Sequence, residues 1–238
     1  MSRPAKLPRP PILCYVTDRK SIASEGSSED RAGGHDRLVQ RIAAAAAAGV
    51  DWIQIREKDL SAKDYAALVR KAVAQTRTIA RPGKEVVRIF VNDRLDIAIT
   101  EQAAGVHLGE NSLPVRDVYR WLHLQTNRPT FQDFLVGASC HSQDSAISAA
   151  RDGADYLFFG PIFATPSKTA FGAPQGLIRL KEVCYSVSIP VLAIGGITGE
   201  NASACLAAGA AGLAAIRLFQ ESNGLPTIIN GLKAGRSI

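Results

Sequence analysis

The sequence predicts a closed (β/α)8 barrel in a single domain, and three observations carry that prediction. Eight short, nearly all-apolar runs recur along the 238 residues. Helix-forming stretches lie between most of them, and polar or glycine residues gather where each run ends. Continuous apolar runs suit parallel strands buried on both faces. Eight alternating strand–helix units close most economically into a barrel. An open doubly wound sheet would call for a G-x-G-x-x-G turn after an early strand, and the chain has none. No Pro/Gly/Ser-rich linker divides the chain. The expected organisation is a flexible tail over 1–11, the barrel domain over 12–232 and a C-terminal tail over 233–238.

The first run, "ILCYVTD" (12–18), follows a basic, Pro-rich start with no hydrophobic signal core. The segment 20–35 after it is polar and Gly-containing, which predicts a mobile loop. "LVQRIAAAAAAGV" (38–50) is rich in strong helix formers and meets a terminator at Gly49. "WIQIRE" (52–57) is the second strand. The helix over 61–80 opens with Ser61 three residues before Asp64, a capping pattern. "VRIFVND" (87–93), "GVHLG" (105–109), "LVGASC" (135–140) and "YLFFG" (156–160) supply strands three to six. "VLAIGG" (191–196) and "GLAAIR" (212–217) complete the eight. The segments 142–156 and 198–212 repeat one outline of polar cap, short Ala-rich helix, glycine and strand.

Composition narrows the function classes. The net charge is +6 and the isoelectric point about 9.3, which suits an anionic partner. Lys and Arg are scattered rather than massed in a stripe, so a small phosphorylated substrate is expected and nucleic acid is not. No apolar run reaches the length of a membrane span. Cys14, Cys140, Cys184 and Cys205 lack any disulfide or metal spacing and are expected to be small buried residues in a reducing, cytoplasmic setting. A homo-oligomer is compatible with this composition.

In such a barrel the chemistry belongs at the C-terminal ends of the strands. Gln54, Arg56 and Lys58 alternate, and on a continuing strand they would converge as an anion site. The competing reading is a rim salt-bridge cluster with Glu57 and Asp59. Asn92 and Asp93 end the third strand with a carboxylate able to bind Mg²⁺, or to cap a turn. The glycines of "IGGI" (194–197) mark a close backbone approach, and a helix starting near Thr198–Asn201 could offer amides to a phosphate. Arg217 adds charge at the end of the eighth strand. His107 and His141 lie within or just past strands, where a hydrogen-bonded core role is the commoner one. After the sixth strand, Thr165, Ser167 and Lys168 give two hydroxyls and a cation on a Gly/Pro-rich segment suited to covering a polyanion.

The segments "YVTDR", "IQIREKDLS", "VNDRLDIA", "GVHLG", "GASCHS", "GADYLFFGPIFATPSK", "APQG" and "IPVLAIGGITGEN" occur in order from about residue 13 to 219. Together they resemble the thiamine phosphate synthase and thiazole tautomerase family. The resemblance implies a transferase that joins hydroxymethylpyrimidine diphosphate to a thiazole phosphate, with loss of pyrophosphate and help from Mg²⁺. It implies that Gln54, Arg56, Lys58 and Asn92 contact the pyrimidine diphosphate, with Ser139 near the diphosphate. It places Asp93 on Mg²⁺, and Thr165, Ser167 and Lys168 on thiazole phosphate and pyrophosphate. Gly196 and the backbone at Ile216 and Arg217 would hold the thiazole phosphate. Two positions depart from the synthase pattern: Ser112 stands where a second acidic metal ligand is usual, with Glu110 two residues before it, and Arg217 replaces a common serine. The alternative within the resemblance is a metal-independent tautomerase using His141 as acid and base. A third reading is a barrel that binds thiamine precursors without turning them over.

Overall fold

The computed structural model describes residues 7–23, 31–79, 86–124, 133–165, 173–222 and 224–235. All eight expected strands form: β1 (Ile12–Val16), β2 (Trp52–Ile55), β3 (Arg88–Asn92), β4 (Gly105–Leu108), β5 (Leu135–Cys140), β6 (Tyr156–Phe159), β7 (Val191–Ile194) and β8 (Gly212–Ala215). They pair in parallel in chain order, and β8 returns to β1 through Leu13↔Leu213 and Cys14↔Ala214. The result is a closed barrel, as the alternating runs predict.

Alternate residues of each strand face opposite ways, and this splits the core in two. Ile12, Cys14, Val16, Trp52, Phe90, Leu135, Tyr156, Phe158, Leu192 and Ala214 fill the barrel interior. Leu13, Tyr15, Ile53, Val91, Val136 and Leu213 belong to the outer core beneath the helices. The interior is an aromatic plug, with the Trp52 ring 4.7 Å from Tyr156 and 5.0 Å from Phe90. Gly137, the neighbour of Tyr156 across β5 and β6, makes room for it. A Cβ at that glycine would lie 2.1 Å from the tyrosine ring.

The helices follow from caps and stripes. Helix α1 spans Arg19–Ala23, α2 Arg31–Ala48 and α3 Ala62–Arg77. Ser61 caps α3 by accepting the Asp64 amide at 3.1 Å. The helix buries Tyr65, Leu68, Val69, Ala72, Val73 and Thr76, an i, i+3, i+4 stripe. Then come α4 (Leu95–Thr100), α5 (Val115–Leu124), α6 (Gln143–Arg151), α7 (Gly176–Ser186), α8 (Ala202–Ala207), α9 (Arg217–Gln220) and α10 (Leu225–Lys233). Ser142 and Ser145 form a reciprocal capping box on α6. Lys233 at the end of α10 donates to the Pro11 carbonyl at 2.8 Å, which fastens this helix beneath the barrel.

The segment 20–35 departs from the expected loop. Its first residues are the helix α1 and its last ones begin α2, while residues 24–30 lie outside the described residues. Asp18 supplies the reason, because its carboxylate accepts the Lys20 amide at 3.2 Å and its carbonyl accepts the Ser21 amide at 3.3 Å. No helix among the described residues is long and apolar enough to cross a membrane. The four cysteines are free thiols. Cys14, Cys140 and Cys205 are buried as expected, whereas Cys184 is only half-buried; burial pushes Cys140 and Cys184 up to about 11 and Cys205 up to about 12.

Candidate active site

The mouth at the C-terminal ends of the strands holds a polar chain over the aromatic plug. Gln54 and Asn92 face the interior from β2 and β3 and are almost fully buried. The Gln54 amide donates to Asn92 Oδ1 at 2.9 Å, and Asn92 Nδ2 donates to Asp93 Oδ2 at 2.6 Å. Asp93 Oδ1 accepts the Gly109 amide at 2.9 Å and the Ser112 hydroxyl. Lys58 Nζ lies 3.8 Å from Asp93 Oδ2. Asp93 takes a left-handed φ of 61°, a conformation held here by these contacts on both oxygens. Burial pushes its carboxyl upward. Ser112, Gly109, Lys58 and Asn92 outweigh that and hold it below the ordinary carboxylate range. Tyr65 of α3 braces the two strand ends, donating to the Ile55 carbonyl at 2.5 Å and accepting the Asn92 amide at 3.2 Å.

Lys58 reaches this mouth from beyond the strand, because β2 ends at Ile55, and Arg56 follows directly on the strand's end. The rim salt-bridge reading assigned Glu57 and Asp59 to them, and the structure gives those acids other partners. Arg19 grips Asp59 with two bonds of 2.6 and 2.8 Å and reaches Glu57 at 3.3 Å, while Lys20 lies 3.1 Å from Asp59. Buried Glu57 also accepts the Thr17 hydroxyl at 2.7 Å and the Arg19 amide at 3.1 Å. Burial raises its carboxyl above the ordinary value, and the Thr17 and Arg19 donors pull it back. Arg56 makes no ion pair among the described residues, so its charge is available to an anion.

His107 joins the core and the site. It is buried on β4, stacks 4.1 Å from Phe158, and places Nδ1 3.2 Å from the Tyr156 hydroxyl. Its Nε2 lies 2.9 Å from Ser139 Oγ. His141 Nδ1 contacts the Gly160 carbonyl, an acceptor, so Nδ1 carries a proton.

On the other side of the mouth is a cavity of about 190 Å³ lined by Asp18, Ser21, Thr165, Ile194 to Ile197 and Ala215 to Arg217. The paired glycines do mark a close approach. Gly195 and Gly196 have φ of 94° and 67°, and a Cβ on either would come within 2.7 Å of the Pro161–Phe163 backbone or side chains. Backbone bonds of 2.9 Å from Ile162 to Ile194 and 3.0 Å from Phe163 to Gly195 hold that approach. The amide expected from Thr198 is spent within the protein, because it donates to Asn201 Oδ1 at 2.9 Å. The helix that follows starts only at Ala202. Thr165, Gly196, Ile216 and Arg217 line one cavity, while Ser167 and Lys168 lie outside the described residues.

Among the described residues no three His, Cys, Asp or Glu side chains cluster as a metal cage. Glu110 is exposed on the rim, and Ser112 directs its hydroxyl at Asp93. One carboxylate suffices for a Mg²⁺ ion that keeps its waters and shares substrate phosphate oxygens. The residues present fit an ion of that kind.

Sequence reasoning passed over Arg19 as the partner of Glu57 and Asp59, Gln220, and the Tyr156–His107–Ser139 contact. The parity of β4 and β5, which turns His107 and Ser139 to the same interior, was the available signal for the last of these.

Comparison with known proteins bears on the family and the fold. A sequence profile described as thiamine monophosphate synthase matches residues 26–219. A putative thiamine-phosphate synthase of Geobacter sulfurreducens is 44% identical over 204 residues, covering 86% of this chain and 84% of that one. The thiamine-phosphate synthase of Methanocella arvoryzae is 39% identical over 213 residues, covering 90% and 92%. Among solved structures, a thiamine phosphate pyrophosphorylase from Pyrococcus furiosus superposes with a TM-score of 0.74 at 27% identity over 94% of each chain.

Proposed function

The chain belongs to the thiamine monophosphate synthase family, and from that membership and the barrel mouth we infer that it is a transferase making thiamine phosphate. It joins hydroxymethylpyrimidine diphosphate to a thiazole phosphate and releases pyrophosphate. The observation that carries the reading is the hydrogen-bonded Gln54–Asn92–Asp93 chain with Lys58 at its end, facing a second cavity across the mouth. Two phosphorylated substrates need two such places.

The chemistry assigned to the residues follows from charge. The bond between the pyrimidine methylene carbon and the diphosphate oxygen breaks, and its electron pair leaves with pyrophosphate. Arg56 and Lys58 are placed to stabilise the negative charge that accumulates there, which is where a preformed site contributes most. The Gln54 and Asn92 amides orient the pyrimidine diphosphate, and Ser139, held by His107, offers a hydroxyl to it. Mg²⁺, held by Asp93 and the diphosphate, would supply further charge neutralisation. Thr165, Gly196, Ile216 and Arg217 hold the thiazole phosphate so that its ring nitrogen donates a lone pair to the methylene carbon. Ser167 and Lys168 are assigned to the same anions by the family pattern.

The test combines purified protein, hydroxymethylpyrimidine diphosphate and thiazole carboxylate phosphate in both tautomeric forms, with Mg²⁺ or chelator, read by mass spectrometry. Thiamine phosphate that disappears with chelator is the expected result. Interconversion of the tautomers alone, indifferent to metal, would overturn it in favour of proton transfer by His141.

A further inference from the structure

Gln220 closes α9 and is 7% exposed. A carboxamide has two acceptor positions and two N–H donors, and this one uses all four. Its Oε1 accepts the Tyr15 hydroxyl at 2.7 Å and the Asp18 amide at 3.1 Å. Its Nε2 donates to the Asp18 carbonyl at 2.7 Å and to the Ser21 hydroxyl. Glutamate would bring no donor to the Asp18 carbonyl, and an apolar residue would remove the side-chain partner of the Tyr15 hydroxyl and of the Asp18 amide. Arg41 of α2 holds the same helix from behind, with bonds of 3.0 Å to the Phe219 carbonyl and 2.6 Å to the Ser222 carbonyl.

These bonds fall where two walls of the cavity meet. Asp18 and Ser21 line one wall, Ile216 and Arg217 the other, and Gln220 ties them together. Arg19, next to Asp18, continues the tie to Glu57 and Asp59, on either side of Lys58. We propose that Gln220 is a positioning residue for the nucleophile side of the reaction: it fixes the width of the thiazole phosphate cavity and so keeps water from the methylene carbon. The proposal rests on the synthase reading above. In the competing reaction the same carbon–oxygen bond breaks with its pair leaving on pyrophosphate. Water then forms the new carbon–oxygen bond and loses a proton to solvent, giving hydroxymethylpyrimidine.

The experiment measures both KM values and the ratio of hydrolysis to coupling for wild type, Gln220→Ala and Tyr15→Phe. Gln220→Ala should raise KM for thiazole phosphate on the order of tenfold. It should leave KM for the pyrimidine diphosphate within about twofold and raise the share of hydrolysis. Tyr15→Phe removes one bond of the four and should move the same two readouts in the same direction by less, which decides the matter if the alanine variant does not fold. Equal changes in both KM values, or a fall in kcat alone, would overturn the proposal and leave Gln220 a structural residue. A wild type that makes no coupled product would overturn the synthase reading beneath it, an outcome distinct from a wild type that couples and variants that keep both KM values.

Discussion

Asp93 concentrates the chemistry of one residue: a carboxylate at a left-handed φ, with both oxygens taken up by donors and Lys58 nearby. Asp93→Ala should lower the Mg²⁺-dependent rate on the order of a hundredfold or more, the equivalent of the several kcal/mol a metal contributes to phosphoryl leaving-group stabilisation. Steady-state assays across Mg²⁺ concentrations check this, and wild-type metal dependence in the variant would remove Asp93 from the site. The depressed carboxyl also has a sign. Its folded-state value lies below the reference of 3.8, so its contribution to stability is in place above that pH and lost as pH falls through the folded value. Ser112 is the principal donor opposing burial there. Ser112→Ala should therefore move the Asp93 titration upward in metal-free protein, followed by carboxyl carbon NMR. An unmoved midpoint would show that the hydroxyl does not hold the charge. At this scale the sequence was only partly legible. The motif "ND" announces a carboxylate after a strand, but Ser112 folds back onto Asp93 across 19 residues, a contact without a local pattern. Gln220 reaches Asp18 across 202 residues, and nothing in α9 itself advertises that.

Elements were the most legible scale, because each strand or helix is written in neighbouring residues. The eight runs became eight strands, the Ser61–Asp64 pair became a cap, and the polar start of 142–156 became a Ser142–Ser145 capping box. The repeated outline of 142–156 and 198–212 reappears as a helix ended by a glycine at positive φ, Gly153 at 99° and Gly209 at 102°, before β6 and β8. What failed locally was the loop expectation at the start of 20–35, where α1 forms because Asp18 caps it and α9 holds it from a distance. Strand pairing adds a constraint that composition hides. Gly137 faces Tyr156 across two strands, and the aromatic plug occupies the volume a side chain there would need. Gly137→Ala should cost about 1–3 kcal/mol by overpacking. At roughly 2–4 °C per kcal/mol for a chain of this size, the melting temperature should drop by several degrees. Gly137→Ala with Tyr156→Phe should recover little, since the clash is with ring carbons and not with the hydroxyl. Full recovery in calorimetry would argue that hydrogen bonding and not volume sets the requirement.

At the scale of the whole molecule, the barrel brings together residues that the chain keeps far apart. Asp18, Asp93, Ser139 and Arg217 stand at the ends of four different strands or just beyond them, and only closure of β8 on β1 places Arg217 near Asp18. An anion held across the mouth binds the closed barrel and has no counterpart in the unfolded chain, so it must stabilise the fold as a whole by mass action. The donor set makes that stabilisation conditional. On the proposed assignment to Asp93, with no cage of three acidic or imidazole groups among the described residues, Mg²⁺ alone would have few ligands, whereas Mg²⁺ with pyrophosphate would complete its shell from the anion. Pyrophosphate and Mg²⁺ together at about a hundred times their joint dissociation constant should add roughly 2.7 kcal/mol. That amounts to a rise of about 5–11 °C in the melting temperature of a chain this long. Mg²⁺ without the anion should raise it by little, and pyrophosphate without the metal by an intermediate amount through Arg56 and Lys58. Differential scanning calorimetry over the four combinations measures this. An equal rise with Mg²⁺ alone would mean that the protein carries a complete metal cage, and Asp93 would then be one ligand of several and not the single carboxylate on which the ion depends.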